Sequence, residues 1–268
     1  MHFRTLVGAG LKNKADLRRP LPSLVPSHIG LHPENVASFS PEKNTVTTSS
    51  GSTLTYDTLV VAAGLKINYG AVENLSQALG DANSGVSSIY SYDTCDKAWH
   101  DIDALRGGRA IFTQPAGVIK CAGAPQKIMW MAWDRYRRTG RKIDVEFMTG
   151  MPTMFSVPKW VLPLLWDGIL VNAVCFRYSE ALNQLRISRG VGGTFGHNLT
   201  SIDVAGRTAS FKNTDGQVVT KKYDLLHVVP PQGPLDFIKN SPLADSVGWV
   251  DVNEATLQHK KFSNVFSL

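Results

Sequence analysis

The chain has 268 residues, 43% of them hydrophobic and 19% charged, which suits a soluble globular protein of one large domain or two. Its formal net charge of +6 comes from basic residues scattered along the chain, apart from a run between Arg135 and Lys142, so no nucleic-acid partner is expected. The three cysteines, Cys95, Cys121 and Cys175, form no CxxC pair and no zinc pattern, so a disulfide framework and a metal site are both excluded; they point to a reducing compartment or a redox role for one thiol.

In chain order, Met1–Ser27 is basic through Arg4, Lys12, Lys14, Arg18 and Arg19, but its prolines and Asp16 make it a poor amphipathic helix. It reads as part of a domain body, and no targeting segment is identified. Gly8-Ala9-Gly10 lacks the third glycine, the preceding strand and the periodic helix of a dinucleotide fingerprint, so it reads as a loop. Strands are predicted at Asn35–Ser40, Thr45–Thr48, Leu54–Tyr56 and Thr58–Ala62, with turns between them. The last of these runs into Ala63-Gly64, small residues that let a backbone approach a ligand at a strand's carboxyl end.

A helix over Asp93–Leu105 stops at Gly107-Gly108, and a buried strand over Arg109–Thr113 follows. A long helix from about Ala122 to Thr139 and a strand at Asp144–Thr149 complete a βαβ unit. A nicotinamide site would carry GxGxxG in the first crossover and an acidic residue after the second strand. The crossover instead reads Gln114-Pro115-Ala116-Gly117-Val118-Ile119-Lys120-Cys121, and the second strand ends Met148-Thr149-Gly150. At a helix start, unpaired N–H groups and the helix dipole stabilise a thiolate, and Lys120 and Lys127 add positive charge, so Cys121 is a candidate reactive cysteine of low pKa. The competing reading is a small buried residue that fills the crossover.

The second half echoes the first. Tyr56-Asp57-Thr58-Leu59-Val60-Val61 is answered by Tyr223-Asp224-Leu225-Leu226-His227-Val228-Val229, each after a strand, a glycine-containing turn and another strand. Two such meanders, each feeding a buried strand, suggest an α/β chain with two interlocked dinucleotide-type domains; the alternative is chance similarity between short β segments. The second copy ends in Pro230-Pro231, a rigid strand end that cannot donate backbone N–H groups.

Lys120-Cys121-Ala122-Gly123-Ala124-Pro125-Gln126-Lys127-Ile128-Met129, with Leu226–Pro231 and Gly248-Trp249-Val250-Asp251-Val252, resembles the sulfide:quinone oxidoreductases of the eukaryotic mitochondrial type. The resemblance covers most of the chain. It implies a flavoprotein disulfide reductase relative with two Rossmann-like FAD/NAD(P)-binding-type domains, the first of them incomplete here. It also implies oxidation of hydrogen sulfide through a cysteine persulfide, with FAD passing electrons to ubiquinone and a sulfur acceptor taking the sulfane sulfur. The place would be the matrix side of the mitochondrial inner membrane. Carried over residue by residue, Cys121 matches the first redox cysteine, Ala63 and Gly64 a region along the flavin nucleotide, and the strand with Val36 the one near the adenine. Pro230 and Pro231 match a segment close to the isoalloxazine. The expected division is 1–92 for the remainder of the FAD domain, 93–229 for the second Rossmann-like domain, and 230–268 for a return to the first.

The same resemblance sets out departures. The chain reads as a truncated copy that starts after the family's GxGxxG unit and stops before its Gly-Asp motif, second redox cysteine and membrane-binding end. The stretch 160–177 interrupts the family pattern. It is apolar, yet Pro163, Asp167 and Gly168 are expected to break any helix, so it reads as an unspliced segment or a membrane-docking loop. Cys175 lies inside it and Cys95 in a helix, and neither is expected to be catalytic. Two alternatives remain open: a non-catalytic fragment unable to hold FAD, and a relative of the type II NADH:quinone oxidoreductases, which the missing second GxGxxG disfavours.

Overall fold

Segments that are apolar at every position, such as Ala110-Ile111-Phe112, have no face to offer water and belong inside a covered parallel sheet. The structure, a computed structural model, describes residues 2–155 and 168–268, with only the backbone described for His2 and 168–176. In chain order come helix α1 (His2–Gly8) and strands β1 (Val36–Ser40), β2 (Thr45–Thr48), β3 (Thr53–Thr55), β4 (Leu59–Val61) and β5 (Lys66–Ile67). Helix α2 (Leu75–Gly80), strand β6 (Val86–Ser87), helix α3 (Cys95–Ala104), strand β7 (Gly108–Gln114), helix α4 (Ala124–Arg138) and strand β8 (Ile143–Thr149) follow. Then come α5 (Gly168–Ser188), β9 (Gly192–Thr194), β10 (His197–Asp203), β11 (Thr208–Asn213), β12 (Val218–Lys222) and β13 (Leu225–His227). Strand β14 (Gln232–Gly233), helix α6 (Asp236–Lys239) and strand β15 (Val265–Ser267) complete the chain.

These elements divide into two compact units, whose described parts are 2–18, 67–155 and 168–232 in the first and 19–66 and 233–268 in the second. The first unit is built on a five-stranded sheet of order β6-β13-β7-β8-β9, parallel throughout. Successive residues of a strand face opposite sides, so each strand feeds two cores. Ala110, Phe112, Val145 and Phe147 join helices α3 and α4 in one core; Ile111, Met148, Leu226 and Val86 join α2 and the β10–β11 ribbon in the other. In the second unit, β4 and β15 pair in parallel, and Phe39, Val46, Val61, Leu243 and Val265 form the core.

The internal echo is structural. β1-β2-β3 and β10-β11-β12 are both antiparallel meanders, and their registers correspond residue for residue. Each first strand carries an irregularity at the same place, between Val36 and Ser38 in one copy and Leu199 and Ser201 in the other. Each second strand is entered through a left-handed residue, Asn44 at φ 51° and Arg207 at φ 47°. The carbonyls of these two residues accept the N–H of Tyr56 and Tyr223 at 3.0 and 2.9 Å. Both tyrosines therefore close a meander before the chain enters a parallel-paired strand.

Three local readings are corrected. The start of the basic leading segment forms helix α1, because Thr5 and Val7 are buried while the prolines lie beyond it. Gly8 ends that helix, and a Cβ there would stand 2.5 Å from Ile89 Cγ2, so close packing explains this glycine. In the stretch 160–177, residues 160–167 lie outside the described residues, but the backbone from Gly168 onward is helical and continues to Ser188. A single glycine costs a helix only about 1 kcal/mol relative to alanine, so Gly168 weakens the helix without breaking it. No helix among the described residues is long and apolar enough to cross a membrane.

His227 ends β13, an interior strand of the parallel sheet, with no exposure, and stacks on Phe112 at 5.8 Å. Its Nε2 accepts the N–H of Ile89 at 3.2 Å, which places the proton on Nδ1. Burial pushes its pKa down to about 3, against a weaker opposing backbone hydrogen bond. The folded state keeps this ring neutral while the unfolded chain protonates it near 6.5, so stability is fully present above pH 6.5 and is lost as pH falls towards 3. Denaturant titrations of the His227→Phe variant are expected to show a pH slope between 4 and 6.5 that is shallower by about 1.4 kcal/mol per pH unit. An unchanged slope would contradict this account of the buried ring.

Candidate functional site

Parallel strands present all their carboxyl ends at one edge, and helix amino termini return to that edge, so ligands and chemistry collect there. In the first unit the loop 115–123 leaves β7 at this edge and enters α4. Gly123 is the residue before the helix, Pro125 lies in its first turn, and no side chain caps it. The Cys121 carbonyl accepts the Ala124 N–H at 2.9 Å, so the chain turns just ahead of the helix. Cys121 itself adopts a left-handed backbone at φ 58°, which is uncommon for a residue with a Cβ. It is half-buried, and its flank packs on the core that holds Tyr90 and Ile128.

Two long-range hydrogen bonds hold the loop. The Ala116 N–H donates to Asn198 Oδ1 at 2.7 Å, and the Lys120 N–H donates to Gln232 Oε1 at 2.8 Å. Gly150 makes room for this arrangement, since a Cβ there would stand 2.5 Å from the Ala116 nitrogen and against the Asn198 side chain. The Gly150 N–H also donates to the Gln114 carbonyl at 2.8 Å. Burial first, and the Arg4 charge second, lower the pKa of Lys120. The Lys127 ammonium folds back towards Gly123 at the helix entrance.

The structure places Pro230 and Pro231 directly before Gln232, in the same unit as Cys121, so one hydrogen bond joins the segment they belong to with the cysteine loop. Pro230 is buried, and the Pro231 carbonyl accepts the Asn68 N–H at 2.8 Å. Val36, Ala63 and Gly64 belong to the second unit. Val36 opens β1, where a cleft of about 300 Å³ is lined by the adjacent Ala37, Ser38 and Phe39 together with Asp236, Phe237 and Asn240. Ala63 and Gly64 follow β4 and are exposed; Gly64 has φ +79° and open space where a Cβ would stand. Cys95 is fully buried, donates its thiol to the Tyr92 carbonyl at 3.3 Å, and has a pKa raised chiefly by burial. The side chain of Cys175 lies outside the described residues. Among the described residues no three His, Cys, Asp or Glu side chains converge on a metal position.

Sequence reasoning missed Asn198 and Gln232. Asn198 and Gln232 are distant in the chain from the loop they hold, and no spacing marks them. The one available signal was the Pro-Pro strand end, whose next residue is Gln232.

A fully parallel sheet, a thiol in the crossover from β7 to α4 and a repeated meander mark an α/β protein of the FAD/NAD(P)-binding type of fold. The sulfide:quinone oxidoreductase structure from Aquifex aeolicus has this fold, with a TM-score of 0.75 at 19% identity over 99% of this chain and 58% of that one. In sequence, the chain is 44% identical over 98% of its length to the mitochondrial sulfide:quinone oxidoreductase of Schizosaccharomyces pombe and 40% identical over 98% to that of Dictyostelium discoideum. The resemblance to mitochondrial sulfide:quinone oxidoreductases therefore holds along nearly the whole chain. The chain spans about half the length of these curated relatives, 55% in both cases. No protein-family profile matches it.

In a Gln232→Leu variant the Lys120 amide loses its acceptor. Hydrogen exchange at that amide is expected to accelerate, with a stability loss of about 1 kcal/mol. Unchanged protection at Lys120 would show that the loop is held by other contacts.

Proposed function

We propose that the chain is the sulfide-handling portion of a mitochondrial FAD-dependent oxidoreductase of the sulfide:quinone type, with Cys121 as the residue that carries the sulfane sulfur. The observation that supports this most is the half-buried, left-handed Cys121 at the carboxyl edge of the parallel sheet, in a chain 44% identical to one such enzyme. Hydrosulfide attacks, at the Cys121 sulfur, the disulfide that Cys121 would form with the family's second redox cysteine; the S–S bond breaks, Cys121 becomes the persulfide and the second cysteine leaves as a thiolate. Exchange of this kind depends on an accessible sulfur and on a leaving thiolate that its surroundings stabilise. Arg4 and Lys120 supply positive charge that draws the hydrosulfide anion towards the loop. Cys95 is not the partner, because it is fully buried and bonded to its own helix entrance.

The residues present fit FAD. Gln232 Nε2 is buried without a hydrogen-bond partner beside the cysteine loop, a donor suited to a carbonyl edge of the isoalloxazine, and Pro230 and Pro231 adjoin it. In the second unit taken by itself, Gly64 has open space beside its backbone, and Ala37, Ser38 and Phe39, next to Val36, line a cleft, features that would suit the nucleotide part. When bound, FAD supplies acceptance of the electron pair and its passage to ubiquinone. The sulfane sulfur leaves to an acceptor in solution, and the work is done at the matrix face of the inner membrane.

In the flavin-loaded protein, Cys121→Ser is expected to abolish sulfide-dependent flavin reduction measured by anaerobic bleaching of the flavin band. Bleaching at the parent rate would contradict the assignment.

A further inference from the structure

Two features set the β7–α4 crossover apart from a nicotinamide site: it lacks GxGxxG, and β8 runs into Gly150 where an acidic residue would stand. In the structure these two departures form one arrangement. The Ala116 N–H, at the start of the crossover, donates to Asn198 Oδ1 at 2.7 Å. Asn198 belongs to β10, where it lies opposite Lys212, and it reaches the crossover over Gly150. A Cβ at Gly150 would collide with the Asn198 side chain and stand 2.5 Å from the Ala116 nitrogen. The φ of Gly150 is not left-handed, so close approach is what this glycine provides. The Gly150 N–H donates to the Gln114 carbonyl at 2.8 Å and the Gly196 N–H to the Met151 carbonyl at 3.0 Å, which laces the exits of β7 and β8 to the entry of β10. Between this knot and the thiol the loop is held twice more: Ile119 is buried in the core with Ile128, and the Lys120 N–H donates to Gln232 Oε1.

A dinucleotide site keeps the N–H groups of this crossover for a pyrophosphate. Here a side-chain oxygen from the meander takes the first of them. We propose that Asn198 is a positioning residue for Cys121: it takes at the Ala116 N–H the place that a phosphate oxygen has in a dinucleotide site, and so holds the crossover in the shape that presents the thiol. This rests on Cys121 being the reactive sulfur. Asn198 touches no reacting atom and acts only through the loop.

The test is the rate of alkylation of Cys121 and of Cys95 in the full chain, without flavin or sulfide, read by peptide mass spectrometry. Asn198→Leu keeps the bulk and removes the acceptor, while Asn198→Asp keeps an acceptor oxygen. The leucine variant is expected to alkylate about fivefold faster at Cys121, the fold-change for loss of one hydrogen bond that holds a half-buried thiol in place. Cys95, fully buried in α3, keeps its parent rate, and the aspartate variant returns Cys121 to the parent rate. A leucine variant with the parent rate at Cys121 overturns the proposal; so does one in which Cys95 accelerates equally, because general loosening then accounts for both. Should the leucine variant not fold, the parent chain gives a second reading: the Ala116 amide is expected to be protected from hydrogen exchange, and exchange at the rate of an unprotected amide overturns the proposal. Neither readout involves sulfide oxidation. Selective acceleration in a protein whose Cys121→Ser variant still reduces flavin would sink the persulfide reading alone; a parent rate in a protein that needs Cys121 would sink the positioning role alone.

Discussion

The first unit depends on one insertion: β13, a strand of three residues, pairs in parallel with β6 on one side and β7 on the other. Leu225, Leu226 and His227 are buried completely or nearly so, and their neighbours Asp224 and Val228 continue the ladder through the Arg109 and Ser87 carbonyls at 2.9 and 2.8 Å. The constraint has a cost, since an imidazole must be held neutral in the middle of the sheet. Its return is positional. Because β13 lies between β6 and β7, the segments that carry Tyr90, Gln232 and Cys121 leave the sheet side by side.

From that placement the local chemistry follows. A cysteine in a left-handed turn just ahead of a helix has its carbonyl committed to the turn and its side chain turned from the path that an ordinary strand-to-helix crossover gives it. Asn198 and Gln232 then fix the loop at both ends through its backbone amides, and the side chain is left for other work. A buried polar network is stiff when satisfied and costly when not. The Gln232 Nε2, buried without a partner, lies in such surroundings.

Much of this was legible in the sequence. The βαβ unit around β7, α4 and β8 could be read because each strand has an apolar centre, Ala110-Ile111-Phe112 and Phe147-Met148, and its helix is long. The repeated meander was marked by its two Tyr-Asp strand entries, and the structure deepens that reading through the paired irregularities and the left-handed Asn44 and Arg207. The resemblance rested on contiguous residues and survives as 44% identity over 98% of the chain. What could not be read depends on tertiary contact. Asn198 and Gln232 matter through partners far away in the chain, and α1 exists because Thr5 and Val7 find a core. Helix α5 runs through residues whose glycine argued against a helix, yet a single glycine costs a helix only about 1 kcal/mol.

The central claim is that Cys121 carries the sulfur. Its most direct test is to expose the oxidised, flavin-loaded protein to sulfide without a sulfur acceptor, trap it with an alkylating agent, and locate the extra sulfur by peptide mass spectrometry. The account predicts an alkylated persulfide at Cys121 and an unmodified Cys95. A persulfide at another cysteine, with Cys121 recovered only as the alkylated thiol, would contradict it.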